Sequence, residues 1–304
     1  MEEQIQEKKK FSIKEIYNRQ YKLLNIIPFI ILLLAVLQIG FQVAKTGDFM
    51  YKGVSLKGGL TITIEKNTNV IELQKFLKER FPSADISVRG VSSAGMQIGT
   101  IVEASDIEAE MLTSALEESL KITKENYSVE FMGSSLGASF FKETMIAVII
   151  AFILMAVVVF FYFRMVIPSL AILLSAFSDI VETLAIVNLL GIRLTTAGIA
   201  AFLMLIGYSV DTDILLSVRL LKRKEGTAFE RTLGAMKTGA MMSITTIIAV
   251  TIGIIFAESE IIKQIMTIVL IGLLVDFINT WIQNAGLLRW YLDRKEKKNQ
   301  NVQH

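Results

Sequence analysis

Cysteine is absent from the 304-residue chain, and histidine occurs once, as the final residue, His304. The first absence excludes disulfides, thiolate metal centres and cysteine nucleophiles, so any domain outside the cell must hold together by packing alone. The second removes most imidazole proton relays and zinc sites, and no metal site is expected. An excess of one charge is also missing: 31 Lys and Arg stand against 29 Asp and Glu, a net charge of +2. That balance is too small for a nucleic-acid binder, and the charges fall between apolar runs instead of forming one stripe. No tract of low complexity and no internal repeat stands out.

What is abundant is apolar surface. The chain is 53% hydrophobic with a mean hydropathy of +0.54, above the share typical of soluble domains, which places it in a membrane. After a polar, basic segment over 1–22 comes an apolar run over 23–44, long enough for a hydrocarbon core of about 30 Å at about 1.5 Å per residue. It is too long for a signal-peptide core and lacks a good cleavage site, so it reads as a retained anchor. Five further runs lie near 144–163, 167–190, 194–216, 238–257 and 261–281, within a bundle over 143–284, and a polar tail covers 285–304. Lys and Arg concentrate in the two tails and in the stretch from Arg219 to Lys237. By the positive-inside rule both termini are cytoplasmic, in a cytoplasmic membrane. Trp281, Trp290 and Tyr291 fall near the last boundary, as interface anchors do.

Between the first two spans, over 45–142, the apolar density drops and the periodicity changes. "SLKGGLTITIE" alternates as a strand, Asn69–Phe81 has helical spacing, and "DISVRGV" and "MQIGTIVE" read as strands around a Ser-Ser-Ala-Gly turn. Asp106–Leu120 reads as a helix with Ser105 as N-cap, and Tyr127–Gly133 as a last strand. The expected fold is a six-helix polytopic membrane protein with an extracytoplasmic α+β ferredoxin-like domain, βαββαβ, between helices 1 and 2, both its helices on one sheet face. Gly58-Gly59 reads as a bend into the first strand.

Asp179, Glu182, Asp211, Asp213 and Asp276 fall inside the apolar runs. A charge at mid-membrane costs about 2.5–3.5 kcal/mol on insertion scales, so several acids need a reason. Asp179 and Glu182, three apart, share a helix face turned into the bundle. Asp211 and Asp213, two apart, point to different sides. Either a carboxylate loads and releases a proton, or the acids cap helix ends and pair with Arg219 or Lys237. Lys237 is itself either a snorkelling residue or a counter-charge. Asp213 and Asp276 lie within reach of the interface.

The motifs resemble those of SecF subunits of the SecDF protein-export complex, in the resistance-nodulation-division superfamily, over nearly the whole chain. "GVSLKGG", with Gly53, Gly58 and Gly59, resembles the family's first-domain motif, with Ser55 in place of an Asp. "GSSLGASF" resembles the segment opening span two, and "FSDIVETLAIVNLLGIRLT" resembles span three, with Ser178 where a His is common. "GYSVDTDILLSVRL", with Gly207, Tyr208 and Ser209, resembles the span-four motif, with Thr212 at the usual Asp position between Asp211 and Asp213. "AMKTGAMMSITT" resembles the start of span five, with Lys237 offset by one from the family's Arg.

The resemblance implies a non-enzymatic accessory subunit of the Sec translocase. It implies use of the proton-motive force, or of Na+, without other cofactors. The implied partners are a SecD homologue, a SecYEG-type channel, the exported polypeptide and membrane lipid, with no nucleic acid. The proton-coupling candidates are Asp211, the deeper of its pair by position in the run, then Asp213, Asp179 and Glu182. The alternatives are a proton-driven exporter of lipids or small molecules from the same superfamily, and an intramembrane aspartyl protease using Asp179 and Asp211.

Overall fold

The computed structural model describes residues 17–93, 96–223 and 225–302. The basic residues Lys8, Lys9, Lys10, Lys14 and Lys224, the tip of the Ser-Ser-Ala-Gly turn and His304 lie outside them. Six helices are long and apolar enough to cross a membrane. The first, α1, runs Tyr21–Thr46 and ends on Gly47 in the left-handed conformation, φ 79°, which glycine adopts without a steric penalty.

A short helix, α2 (Val54–Lys57), then leads into the domain: β1 (Gly59–Ile64), α3 (Val70–Arg80), β2 (Asp85–Ser93), β3 (Met96–Ser105), α4 (Ala109–Leu120) and β4 (Tyr127–Met132). The sheet order is β2-β3-β1-β4 and every neighbouring pair is antiparallel. Alternation in "LTITI" sends Leu60, Ile62 and Ile64 into a core closed by Leu73 and Leu77 of α3 and Leu112 and Leu116 of α4. Each such side chain is worth roughly 1.5–3 kcal/mol when fully buried. The Asn69 side chain caps α3, accepting from Ile71 N and Glu72 N. The second helix starts later than its sequence suggests. Strand β3 continues to Ser105, and Asp106 turns with φ 63°, so Glu108, not Ser105, occupies the N-cap.

Only Gly133 separates β4 from the second span, α5 (Ser134–Phe163). Spans three to five follow as α6 (Val166–Leu189), α7 (Thr196–Leu221) and α8 (Ala228–Phe256). The sixth span covers Glu260–Lys297. It comprises α9 (Glu260–Ile278), a π-helical turn over Asn279–Asn284, and α10 (Ala285–Val302). Span two has mean hydropathy 3.1, while spans three and four have 2.0 and 1.7. A helix that is apolar all round can face lipid, whereas the two least apolar ones must hide their polar residues and so occupy the centre.

The domain is seated directly on the bundle. Gly53 N donates to Leu194 O at 2.8 Å and Leu194 N to Tyr51 O at 2.7 Å, joining the chain before α2 to the loop between spans three and four. Ser55 Oγ accepts from Thr196 N at 3.2 Å, capping α7 from the domain side. Arg193 in the same loop donates twice to Asp85, at 3.1 and 2.6 Å. Burial pushes the Asp85 carboxyl up, but the Arg193 hydrogen bond and charge, helped by Lys57, outweigh it and hold Asp85 below the usual range. At Gly58, with φ +90°, an added Cβ would lie 2.4 Å from Ser134 Cα; at Gly137 it would lie 2.8 Å from Gly58 N. The two segments therefore interlock only as glycines. Gly59 has φ +135° and no room for a Cβ beside Ala104 O, 2.3 Å away. The glycine pair is thus the bend into β1.

Candidate functional site: a buried layer of acids

Three polar stripes meet at mid-bundle. On α6 they are Ser175, Ser178, Asp179 and Glu182; on α7, Ser209, Thr212 and Asp213; on span six, Asp276, Asn279, Thr280, Gln283 and Asn284. Each set follows spacings of three and four, which align side chains along one helix face. The π turn in span six lies where three of the helices' polar side chains converge, a common position for such turns at functional sites. Asp179, Glu182, Asp213 and Asp276 are each 2% exposed or less.

Asp179 accepts from Ser209 Oγ at 2.5 Å and from Asn279 Nδ2 at 2.9 Å. The same amide reaches Glu182 Oε2 at 3.1 Å, so one asparagine bridges both acids of span three. Asp213 Oδ1 accepts from Asn284 Nδ2 at 2.7 Å and from Ser175 Oγ at 3.3 Å. Asp276 accepts from Thr280 Oγ1 at 3.0 Å, with Thr212 Oγ1 at 3.3 Å, and its carboxyl lies against that of Asp179. Gln283 Nε2 donates to Ser178 Oγ at 3.2 Å. All the ion pairs found among the described residues lie elsewhere, in the domain or at its junction with the bundle. Four buried carboxyls thus share neutral donors and no cationic side chain.

Apolar packing seals the layer on both sides. Towards the domain sit Leu194, Ile199, Phe202, Ile268 and Leu273. Towards the termini sit Leu216, Leu220, Trp281, Ala285 and Leu288. Trp281 is 1% exposed, not an interface anchor; Gly239 of α8 provides the slot for its indole, since a Cβ there would lie 2.3 Å from Trp281 Cζ2. Trp290 and Tyr291 are half-buried near the helix end.

The structure separates the span-four pair. Asp213 falls on the buried face with Ser209 and Leu216, while Asp211, out of phase with them, is exposed with Met204 and Gly207. Position along the run favours Asp211; rotation about the helix decides for Asp213. Nor are Asp179 and Asp211 brought together as a protease dyad would need. Lys237 is exposed and pairs with none of the acids. It lines a groove of about 880 Å³ with Tyr208 and Met241. Arg219 is occupied by span five, donating to Gly234 O at 2.6 Å and Thr238 Oγ1 at 2.8 Å.

Of the motif residues, Ser209 enters the layer, Gly207 faces outward, Tyr208 is half-buried against the apolar core, and Gly53, Gly58 and Gly59 build the domain junction. Asp276 belongs to the site, although its nearness to Trp281 suggested an interface position. Asn279, Thr280, Gln283 and Asn284 join it. Their signal was present in the sequence as polar residues at i, i+3, i+4, i+7 and i+8 from Asp276.

A six-span bundle around a sealed layer of acids, carrying one ferredoxin-like domain, defines the class. A family model described as "Protein export membrane protein SecD/SecF, C-terminal" matches residues 112–294. The protein-export membrane protein SecF of Pyrococcus furiosus is 38% identical over 95% of this chain and 97% of its own length. SecF of Methanocaldococcus jannaschii is 38% identical over 92% and 99%, and SecF of Thermococcus gammatolerans is 42% identical over 80% and 79%. The chain belongs to the SecF family. In fold it is similar to SecDF from Thermus, a translocon-associated membrane protein, with TM-score 0.70 at 20% identity. It covers 90% of this chain but 38% of that longer one.

Proposed function

We propose that this chain acts as the SecF subunit beside a SecD-type partner, helping a SecYEG-type channel to export polypeptides at the expense of a cation gradient. The observation that carries the reading is the sealed layer in which Asp179, Glu182, Asp213 and Asp276 have no cationic partner among the described residues. Isolated ionised carboxyls are far too costly in a dry interior, so such a layer must take up a mobile cation, H+ or Na+. Similarity to a SecDF chain more than twice as long supports a SecD-type partner for this half. The concentration of Lys and Arg in the tails and in the loop after span four supports cytoplasmic termini and an outer domain.

Asp213 takes the coupling role in this reading, with Asp179 and Asp276 sharing its layer. Neutralising Asp213 removes a buried charge and changes which packing of spans three, four and six is preferred. Spans three and four end in the loop that carries Leu194 and Arg193, and that loop is bonded to Tyr51, Gly53 and Asp85 of the outer segment. A shift of these spans therefore moves the domain that faces the emerging chain. In membrane vesicles holding the complete translocase, Asp213→Asn abolishes gradient-stimulated export and Asp211→Asn does not. The opposite pattern would remove Asp213 from the role.

A further inference from the structure

Asn279 and Asn284 both reach into the acid layer, the first to Asp179 and Glu182 and the second to Asp213. They are five residues apart, and at about 3.6 residues per turn an α-helix would set them about 140° from one another. A π turn bonds i to i+5 and so stacks such residues. Ala285 N donates to Thr280 O in this manner, and the π form of Asn279–Asn284 is therefore what aims both amides at one layer. Such a turn draws carbonyls out of the α-helical ladder, and where they are buried they need donors from elsewhere.

Those donors come from the beginning of span one. The Tyr17 hydroxyl donates to Trp281 O at 2.5 Å. The Asn25 amide is satisfied in one orientation, in which its nitrogen donates to Ile282 O at 3.2 Å and to Gln283 O at 3.1 Å. Three consecutive carbonyls of the turn are thus met by two side chains of one segment. Gly286 leaves the space for this approach, since a Cβ there would lie 2.8 Å from Asn25 Cγ. Arg289 of α10, 6% exposed, holds the same segment: it donates to Asn18 O at 3.2 Å and Asn18 Oδ1 at 2.6 Å, and its guanidinium lies 4.3 Å from the centre of the Tyr21 ring. The Tyr21 hydroxyl closes the clasp on Asp293. Apolar packing alone could hold spans one and six together. A donor on each of these carbonyls does something more selective: it favours the π form over the α form, in which the carbonyls bond back to their own helix.

We propose that Tyr17 and Asn25 are positioning residues, a strap that holds span six in its π form, and that release of the strap lets the turn relax to an α-helix and swings Asn284 away from Asp213. The inference rests on the role of the layer in export and names the residues, remote from the acids, that set its geometry. Neither residue bonds to an acid of the layer, so both act through the backbone of span six.

The test uses the Trp281 carbonyl as a reporter. The chain has two tryptophans, so with Trp290→Phe and tryptophan carrying a heavy carbonyl carbon, the isotope-shifted infrared amide band belongs to Trp281 alone. The labelled full chain is joined to its unlabelled SecD-type partner in nanodiscs. Tyr17→Phe moves the band to higher frequency, and Gly286→Ala, which alters neither bonded group, moves it as well by displacing Asn25. In vesicles holding the complete translocase, gradient-stimulated export falls most of the way to the Asp213→Asn level in Tyr17→Phe with Asn25→Leu. Asn25→Asp, which keeps the size of the side chain but sets an oxygen against two carbonyls, does the same. Gly40→Ala, in open space on span one, changes neither readout. An unmoved band in Tyr17→Phe overturns the strap, and because this variant loses a single hydroxyl it decides even if an Asn25 variant fails to assemble. A moved band with undiminished export in the folded variants overturns the positioning role, whatever Asp213→Asn does. Export that depends on the strap but survives Asp213→Asn upholds the strap and removes Asp213 from the coupling role.

Discussion

Asn284 donates its side-chain amide to Asp213 at 2.7 Å, joining the π turn of span six to the middle of span four. The bond ties the geometry of the sixth span to the charge on one carboxyl of the fourth. Asn284→Leu leaves that carboxyl with Ser175 as its remaining close donor. Loss of a hydrogen bond to a buried acid costs about 1.5–3 kcal/mol, so the variant melts several degrees lower. Thermal unfolding of the purified chain by circular dichroism checks this.

Asn279 bridges Asp179 and Glu182. Asn279→Leu removes both bonds while keeping a similar volume. A stability loss of about 1–3 kcal/mol is expected from two stranded acceptors, and Asp179→Asn in the same chain recovers part of it by restoring a donor. The double-mutant cycle reads the interaction directly. A strictly additive result contradicts the bridge.

The interlock of Gly58 with the start of span two predicts that Gly58→Ala is damaging out of proportion to its size. The new Cβ would lie 2.4 Å from Ser134 Cα at a φ of +90°. Backbone strain of this kind costs about 1–3 kcal/mol. Gly207→Ala meets open space and leaves stability of the isolated chain unchanged. Comparing their melting temperatures tests the junction.

The Asp85 and Arg193 clamp carries a pH dependence whose sign is set. The folded carboxyl lies below its ordinary value of 3.8. Its contribution is therefore present above that value and lost as pH falls through the lower folded one. The contribution is full above about pH 4 and declines only as pH falls further, whereas Asp85→Asn removes this part of the acid dependence. In a chain without native cysteine, Asp85→Cys with Arg193→Cys accepts a short bifunctional thiol crosslinker across the clamp, and crosslinking is expected to stop gradient-stimulated export.

Hydropathy runs, charge asymmetry and the change of period between spans one and two carry most of the architecture in the sequence. Strand alternation in "LTITI" and the helical spacing of "NVIELQKFLKERF" are local properties, so the domain was legible residue by residue. The site was legible by composition and less so by geometry. Two aspartates two positions apart differ by about 200° around a helix, and only packing against Ser175 and Asn284 reveals which faces inward. Lys237 reads as either a snorkelling residue or a counter-charge until span five is seen to turn it towards the Tyr208 groove. The stripe after Asp276 was hidden by its closeness to Trp281, an aromatic residue that lies buried in the Gly239 slot.

The central claim is that cation movement through the layer depends on Asp213. Its most direct measurement is the charge transferred across solid-supported membranes bearing the full chain with its partner, after a jump in proton or sodium concentration. The native protein and Asp211→Asn give a transient current under at least one of these gradients, and Asp213→Asn gives none. An undiminished current from folded Asp213→Asn under the same gradient contradicts the account.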